Sequence, residues 1–300
     1  MSSRLVKHLE DNNILSRRQY AYRRGRNTEL AITEYINTVM ESFANNSFTA
    51  SVFLDLTRAF DCVSHDILLK KMDHYGVRDH ALNWFETYLR DRKQYVTYEG
   101  ESLDTKTVNI GVPQGSILGP IFFLIYINDI ENACQDGDLI LFADDATYFK
   151  CGRDINELIK TINRNLKLLV KWFNANRLSV NIIKTESMIH TRRNIYFPLP
   201  PIMVIEIPIP NNFTIKSLGI FIDFKLTWKP HLEYVQRKLS SACGLLYNIR
   251  NKITRPVARI IYFAIVYPYL NYGNILWSSS YKTSLHRIYI TQKKILRCIL

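Results

Sequence analysis

Asp138-Leu139-Ile140-Leu141-Phe142-Ala143-Asp144-Asp145-Ala146-Thr147-Tyr148-Phe149 is the stretch whose reading decides the fold. An apolar run reverses at two adjacent acids, so the pattern predicts a β-hairpin with Asp144 and Asp145 at its tip. Two like charges on one turn repel and cost stability. A divalent metal ion would remove that cost. The competing reading is a plain surface turn, because Asp is a common turn residue.

Working outward, residues 28–45 place Leu30, Ile32, Tyr35, Ile36, Val39, Met40 and Phe43 at helical spacing. Ser51 to Leu56 is a short apolar strand. Ser64 and Asp66 open a helix that Gly76 closes, and a second runs from Asp79 to about Arg90. Tyr95 to Tyr98 and Thr105 to Ile110 alternate as a strand pair. Gly111 to Gly119 is a loop, and Pro120 starts a helix that reaches about Asn132, apolar on most sides and therefore buried. Asp154 with Glu157 is a capping box ahead of the stripe Ile155, Leu158, Ile159, Ile162, Leu166, Leu169 and Phe173. Ser187–Thr191 and Ser217–Asp223 are strands, Pro198 to Pro210 is irregular, and helices follow from Lys229, Pro256 and Leu285. The strands beginning near 51, 105, 139, 146 and 187, alternating with two long helices, predict an antiparallel sheet with helices on one face.

The 300 residues are 47% hydrophobic and 22% charged, which excludes a disordered chain and leaves room for one elaborate domain or two to three subdomains. Lys and Arg number 39 against 27 Asp and Glu, a net +12 that suits a polyanion such as nucleic acid. Arg17, Arg18, Arg23, Arg24 and Arg26 crowd one stretch with Tyr20 and Tyr22 between them, a mixture that fits phosphates and bases together. The five cysteines form no CxxC pair, so neither a zinc site nor a disulfide framework is indicated. The N-terminus has no signal-peptide pattern, and Ile260 to Leu270, the longest apolar stretch, is too short to span a bilayer. The reading is an intracellular protein with reduced thiols and no membrane partner, its compartment and oligomeric state left open.

Asp55 closes the run Phe53-Leu54-Asp55, where an acid among apolar neighbours is either exposed at a strand end or held by a cation. If this strand pairs beside the hairpin, Asp55 and Asp144 converge. Oxygen ligands select hard cations such as magnesium. Two such ions about 4 Å apart activate a 3′ hydroxyl and stabilise a leaving pyrophosphate. Ser64-His65-Asp66 is no catalytic triad, because neighbours on one turn do not converge. His190 and His231 lack metal spacing. Arg237, Lys238, Arg250, Lys252, Arg255 and Arg259 suit a duplex backbone or a solvated helix face.

Six segments now carry a resemblance. They are Gln19-Tyr20-Ala21-Tyr22-Arg23, Phe53-Leu54-Asp55-Leu56-Thr57-Arg58-Ala59-Phe60-Asp61, Gly111-Val112-Pro113-Gln114-Gly115-Ser116, Phe142-Ala143-Asp144-Asp145, the set Leu178, Asn181, Lys184 and Thr185, and Leu218-Gly219-Ile220 with Asp223. In this order they resemble the reverse transcriptase domain of non-LTR retrotransposons, Jockey-like elements above all. The first departs from the family in carrying Ala21-Tyr22 where relatives have Gly-Phe.

The resemblance implies an α+β right-hand polymerase. Residues 1–50 would be a fingers segment, 51–228 a palm with an antiparallel sheet and inserted fingers elements, and 229–300 a helical thumb with the start of a truncated C-terminal region. It implies an RNA-directed DNA polymerase that extends a DNA primer on an RNA template from deoxynucleoside triphosphates, using two Mg2+ ions with Mn2+ as the alternative. Asp55 and Asp144 would be metal ligands, helped by the Leu56 carbonyl. Asp145 would complete the metal set and support the primer end, and Lys184 would be the general acid for pyrophosphate. Phe60 would exclude a 2′ hydroxyl. Arg23 and Arg26 would hold the triphosphate, with Arg24 competing for that role, and Gln114 and Gly115 would border the nucleotide. The alternative is an inactive polymerase relic that only binds nucleic acid.

Overall fold

The structure, a computed structural model, describes residues 1–90, 92–102, 104–193 and 199–299. It divides into two compact units, one of Met1–Ser187 with the return segment ending at Asn211, the other of Met188–Arg193 with the chain from Asn212 onward.

In chain order the first unit contains α1 (Ser2–Asp11), α2 (Thr28–Ala44), β1 (Phe48–Leu54), α3 (His65–His74), α4 (Asp79–Leu89), β2 (Arg92–Gln94), β3 (Thr97–Tyr98), β4 (Glu101–Ser102), β5 (Lys106–Val108), α5 (Leu118–Ile127), β6 (Asp138–Phe142), β7 (Asp145–Gly152) and α6 (Ile155–Ala175). β8 (Glu186–His190) begins in it, and β9 (Met203–Val204) and β10 (Ile207–Pro208) close it. The main sheet has the order β6-β7-β1-β8. The expected hairpin is β6–β7, and β1 runs antiparallel to β7 from Phe48↔Gly152 to Leu54↔Ala146.

β1 is covered on both faces, which corrects the expectation of helices on one face. Phe48, Ala50, Val52 and Leu54 are buried, and so are Thr49 and Ser51 on the alternate face. α2 satisfies those two hydroxyl residues. Thr49 Oγ1 donates to Ser42 Oγ (2.7 Å) and Tyr35 OH donates to Ser51 Oγ (2.8 Å). The Tyr35 ring then packs edge-on against Phe53 and Phe149. α5 is buried along every residue except Pro120, as its all-round apolar sequence requires. Pro120 is its third residue rather than its first, still within the turn where an N–H has no partner to lose. Asp154 caps α6 through Asn156 N and Glu157 N, while the Glu157 carboxylate pairs with Lys160 instead of returning to the cap.

Three hairpins were misread in the sequence. The 95–110 region is not part of the main sheet: β2 pairs with β5, and β3 with β4. Its turn is Glu99-Gly100, both at positive φ, the backbone a two-residue hairpin loop demands. The alternation there serves an exposed ribbon, with Tyr95, Val96 and Tyr98 all exposed, rather than a core face. The proline-rich stretch holds a β9–β10 hairpin that turns through Ile205 and Glu206, again at positive φ. Pro198, where that stretch was expected to begin, lies outside the described residues. α1 was not foreseen; Leu5 and Leu9 bury its apolar face.

The second unit contains β11 (Thr214–Ser217), β12 (Ile220–Asp223), α7 (Lys229–Ile249), α8 (Arg255–Ile265), α9 (Tyr267–Asn271), α10 (Asn274–Trp277) and α11 (Lys282–Ile299). The single strand expected at 217–223 is split by a turn at Leu218-Gly219. The Asp223 carboxylate accepts from Thr227 N (2.9 Å) and Trp228 N (2.7 Å), fixing the entry to α7. The boundary expected near residue 228 thus falls inside this unit. Among the described residues no helix is long and apolar enough to cross a membrane.

Candidate active site

β1 ends at Leu54, paired with Ala146, so the next residue, Asp55, stands across from Asp145. β6 and β7 close on each other at Phe142↔Asp145, leaving Ala143 and Asp144 as the two-residue turn. The register therefore delivers three acids to one end of the ladder. The Asp145 carboxyl is pushed up to about 6, first by desolvation in the crowded tip, then by the negative charges of Asp144 and Asp55. Asp145 keeps solvent access, which screens the repulsion; the direction and the identity of its two neighbours are what the site reveals.

Asp55 is held from behind by the loop after α6. Asn181 N donates to Asp55 O (2.8 Å), Thr57 N to Ser179 O (2.8 Å), and Asp55 N to Thr185 Oγ1 (3.4 Å). Thr185 is fully buried and its hydroxyl donates on to Asn181 O, which locks the loop. Leu56 bridges Val180 between these bonds. This is the non-hydrogen-bonded kind of antiparallel pair, so the Leu56 carbonyl turns away from the loop. Lys184 rides on the same loop, exposed.

The turn carries a strain that sequence reading did not reveal. Ala143 adopts φ 55, a left-handed conformation that costs a non-glycine residue about 1 kcal/mol. Gln19 compensates. Its Oε1 accepts from Ala143 N (3.2 Å) and from Ala21 N (2.9 Å). Residues 18–20 run beside β6 as an added parallel segment, with Tyr20 N bonded to Leu141 O and Leu141 N to Arg18 O. Gln19 is buried, and its Nε2 has no partner among the described residues. In the sequence Gln19 stood only at the head of the Gln19–Arg23 segment, between Arg18 and Tyr20.

A second cluster forms around Phe60. Its ring stacks on Phe123 at 4.5 Å between centroids, in the 3-10 turn Ala59–Cys62. The glycine loop docks on that turn through Gly111 N to Val63 O (2.7 Å) and Val112 N to Phe60 O (2.9 Å), and His65 Nε2 donates to Gly111 O (2.8 Å). Gly111 sits at φ 85, and a Cβ there would lie 2.8 Å from Asp61 O, so only glycine fits. Gln114 Nε2 donates to Asp61 Oδ1 (2.8 Å), a partner the sequence did not single out. Gly115 has φ 79 and open space around it. Asp61, Arg92, Gln94, Lys106 and Gln114 line a cavity of about 630 Å³ here.

The arginines behave differently. Arg23 is nearly buried and pairs through two nitrogens with the Glu10 carboxylate (3.0 and 2.9 Å), and it also donates to Ser16 O (2.6 Å). That pairing holds the Glu10 carboxyl below its ordinary value. Arg26 lies over the Tyr20 ring and donates to Arg17 O, half-buried, and Arg24 is exposed.

The donor chemistry at the tip, carboxylates and a carbonyl, fits a hard divalent cation. Among the described residues no three His, Cys, Asp or Glu groups are drawn together to hold a metal ion.

The sequence matches the family model for reverse transcriptase (RNA-dependent DNA polymerase) over residues 1–222. The chain belongs to the reverse transcriptase family. All three acids, the glycine loop and the Lys184 loop of this reverse transcriptase lie inside the matched span. The probable RNA-directed DNA polymerase from transposon BS of Drosophila melanogaster is 27% identical over 100% of this chain and 34% of that protein. The RNA-directed DNA polymerase from mobile element jockey of Drosophila funebris is 26% identical over 99% of this chain and 33% of that protein. The expected likeness to Jockey-like elements is thus borne out. The chain spans about a third of the length of these relatives. In fold it is similar to telomerase from Candida albicans, solved in complex with a TWJ fragment of telomeric RNA (TM-score 0.57, 14% identity, 99% of this chain and 56% of that one). It is also similar to apo telomerase from Candida tropicalis (TM-score 0.52, 13% identity, 99% and 54%). The α+β polymerase fold read from the sequence is the fold found.

Proposed function

We propose that this chain carries the polymerising core of an RNA-directed DNA polymerase, adding deoxynucleotides to a DNA primer on an RNA template. The reading rests on one observation: Asp55, distant in sequence from the adjacent Asp144 and Asp145, arrives with them at the same end of the β1–β7 ladder. Members of the family use divalent metal ions; here we propose two Mg2+ ions, with Mn2+ as the alternative, held by the three carboxylates and the Leu56 carbonyl. Bound there, such ions supply activation of the 3′ hydroxyl and charge stabilisation of the leaving pyrophosphate.

The protein's own groups do the rest by positioning. Phe60, braced by Phe123, presents a ring against the sugar, where a 2′ hydroxyl would clash. Gln114, anchored by Asp61, and Gly115, with no side chain in the way, border the nucleotide. Arg26 and Arg24 are the cations free to meet a triphosphate; Arg23 must first release Glu10. Lys184, exposed on the loop that backs Asp55, is the general acid proposed for pyrophosphate. In this scheme residues 1–50 are fingers, 51–228 palm with inserted fingers elements, and 229–300 thumb.

A second reading, an inactive relic that binds nucleic acid, draws on the net charge of +12. Magnesium-dependent primer extension on an RNA template separates the two. Extension by the native chain that disappears in Asp144→Asn supports the polymerase. RNA binding without extension by the native chain supports the relic. Equal extension on a matched DNA template would overturn the RNA-directed part of the assignment.

A further inference from the structure

α7 and α11 pack side by side in the second unit and run in the same direction. The register shows this. Gln236 Nε2 on α7 donates to Thr291 Oγ1 on α11 (2.7 Å), and seven residues further along each helix stand Cys243 and Cys298. A step of seven residues is about two turns, so the second pair repeats the facing position of the first. The buried residues of α7 follow the same rhythm, with Leu232, Val235, Leu239, Ala242 and Leu246 at alternating spacings of three and four. Both cysteines are free thiols of intermediate exposure, and both line one cavity of about 610 Å³ between the two helices.

We propose that Cys243 and Cys298 form a dithiol that small anionic disulfides of the glutathione class oxidise to a bond stapling α7 to α11. The same cavity is lined by Arg250, Lys294 and Arg297, three cations that suit the carboxylates of such an oxidant. One cysteine thiolate attacks the oxidant's disulfide, forming a mixed disulfide and expelling one thiolate. The second cysteine thiolate then attacks the protein-side sulfur, forming the Cys243–Cys298 bond and expelling the second. Two protein thiols are oxidised, one disulfide is reduced to two thiols, and the two protons lost by the cysteines are taken up by the leaving thiolates. Burial raises the Cys243 thiol above its ordinary value, Cys298 adds to the rise and Lys294 opposes it. Closing the bond adds a covalent tie to two helices that otherwise hold each other by packing and the Gln236–Thr291 hydrogen bond.

The test treats the full chain with oxidised glutathione and maps its cysteines by mass spectrometry without reduction. The expected result is a peptide joining Cys243 to Cys298, lighter by two hydrogens, with Tm raised by several degrees and restored by dithiothreitol. Cys243→Ser should instead accumulate a stable glutathione adduct on Cys298, because the resolving thiol is gone, and Cys298→Ser should trap one on Cys243. A trivalent organoarsenical, which needs two thiols at once, should protect both from alkylation in the native chain and neither in the variants. Stable glutathione adducts at both positions of the native chain, or no arsenical protection, would overturn the proposal.

Discussion

The acid tip and the arginine stretch both stood out in the sequence, and the structure treats them in opposite ways. Asp55, Asp144 and Asp145 are delivered by backbone register: a strand pair ending at Leu54↔Ala146 and a two-residue turn leave them nowhere else to go. Among the described residues no ion pair joins them to a cation, and the Asp145 carboxyl is raised. Arg23, in the other region, found a local partner in Glu10, while Arg26 lies on Tyr20. Short side chains on a rigid ladder keep the geometry that sequence order implies. Long, flexible guanidinium groups pair with whatever carboxylate or carbonyl the surrounding fold offers. An acid pair at a turn is therefore a firmer guide to a site than a run of basic residues.

The strongest break of this comparison is Asp144→Asn. Primer extension should fall by at least about 10³-fold, beyond the loss of a single preorganised polar group, while RNA binding measured by filter retention stays near the native level. Next, Arg23→Ala should cost about 2 kcal/mol of stability, the scale of charge-assisted hydrogen bonds, read as a lowered denaturation midpoint. Arg26→Ala should leave stability nearly unchanged and raise KM for the triphosphate. If the two variants exchange these phenotypes, the contrast between a structural and a binding arginine fails.

Gln19 sharpens the tip itself. Gln19→Leu orphans Ala143 N and should lower kcat about tenfold, in line with a misplaced reacting geometry, with KM little changed. Gln19→Glu keeps the acceptor oxygen and should recover most of the loss. A Phe60→Val variant should admit ribonucleotides about tenfold better, the scale of one to two kcal/mol in pocket discrimination; unchanged sugar selection in competition assays would remove Phe60 from that role.

The two carboxylates give opposite pH signs. Asp145 is raised from an ordinary 3.8 to about 6, so the folded state holds its proton more tightly. Its stabilising contribution is full below 3.8, is lost as pH rises to about 6, and is absent at neutrality. Glu10 is lowered from 4.5, so its contribution is present above that value and is lost as pH falls through the depressed one. Carboxyl carbon chemical shifts followed by NMR should show Asp145 titrating near 6 and Glu10 below 4.5. Saturating magnesium should move Asp145 downward and leave Glu10 where it is.

Much of this was legible in the chain. The hairpin at Asp144, the long stripe of α6, the buried α5 and the order of the motifs are local patterns, set by periodicity and by residue types that tolerate few alternatives. The ribbon at 92–108 was misread because alternation marks a strand without naming its partner. The second face of β1 was misread because serine and threonine look solvent-facing until Tyr35 and Ser42 bond to them. By itself the sequence determined the residue types of the proposed site, their order and the family. Only the tertiary structure decided that Glu10 occupies Arg23, that Gln19 braces the strained Ala143 and that Cys243 faces Cys298. Each of those pairings joins separate segments, and a contact between segments depends on register and side-chain reach, which no local pattern encodes.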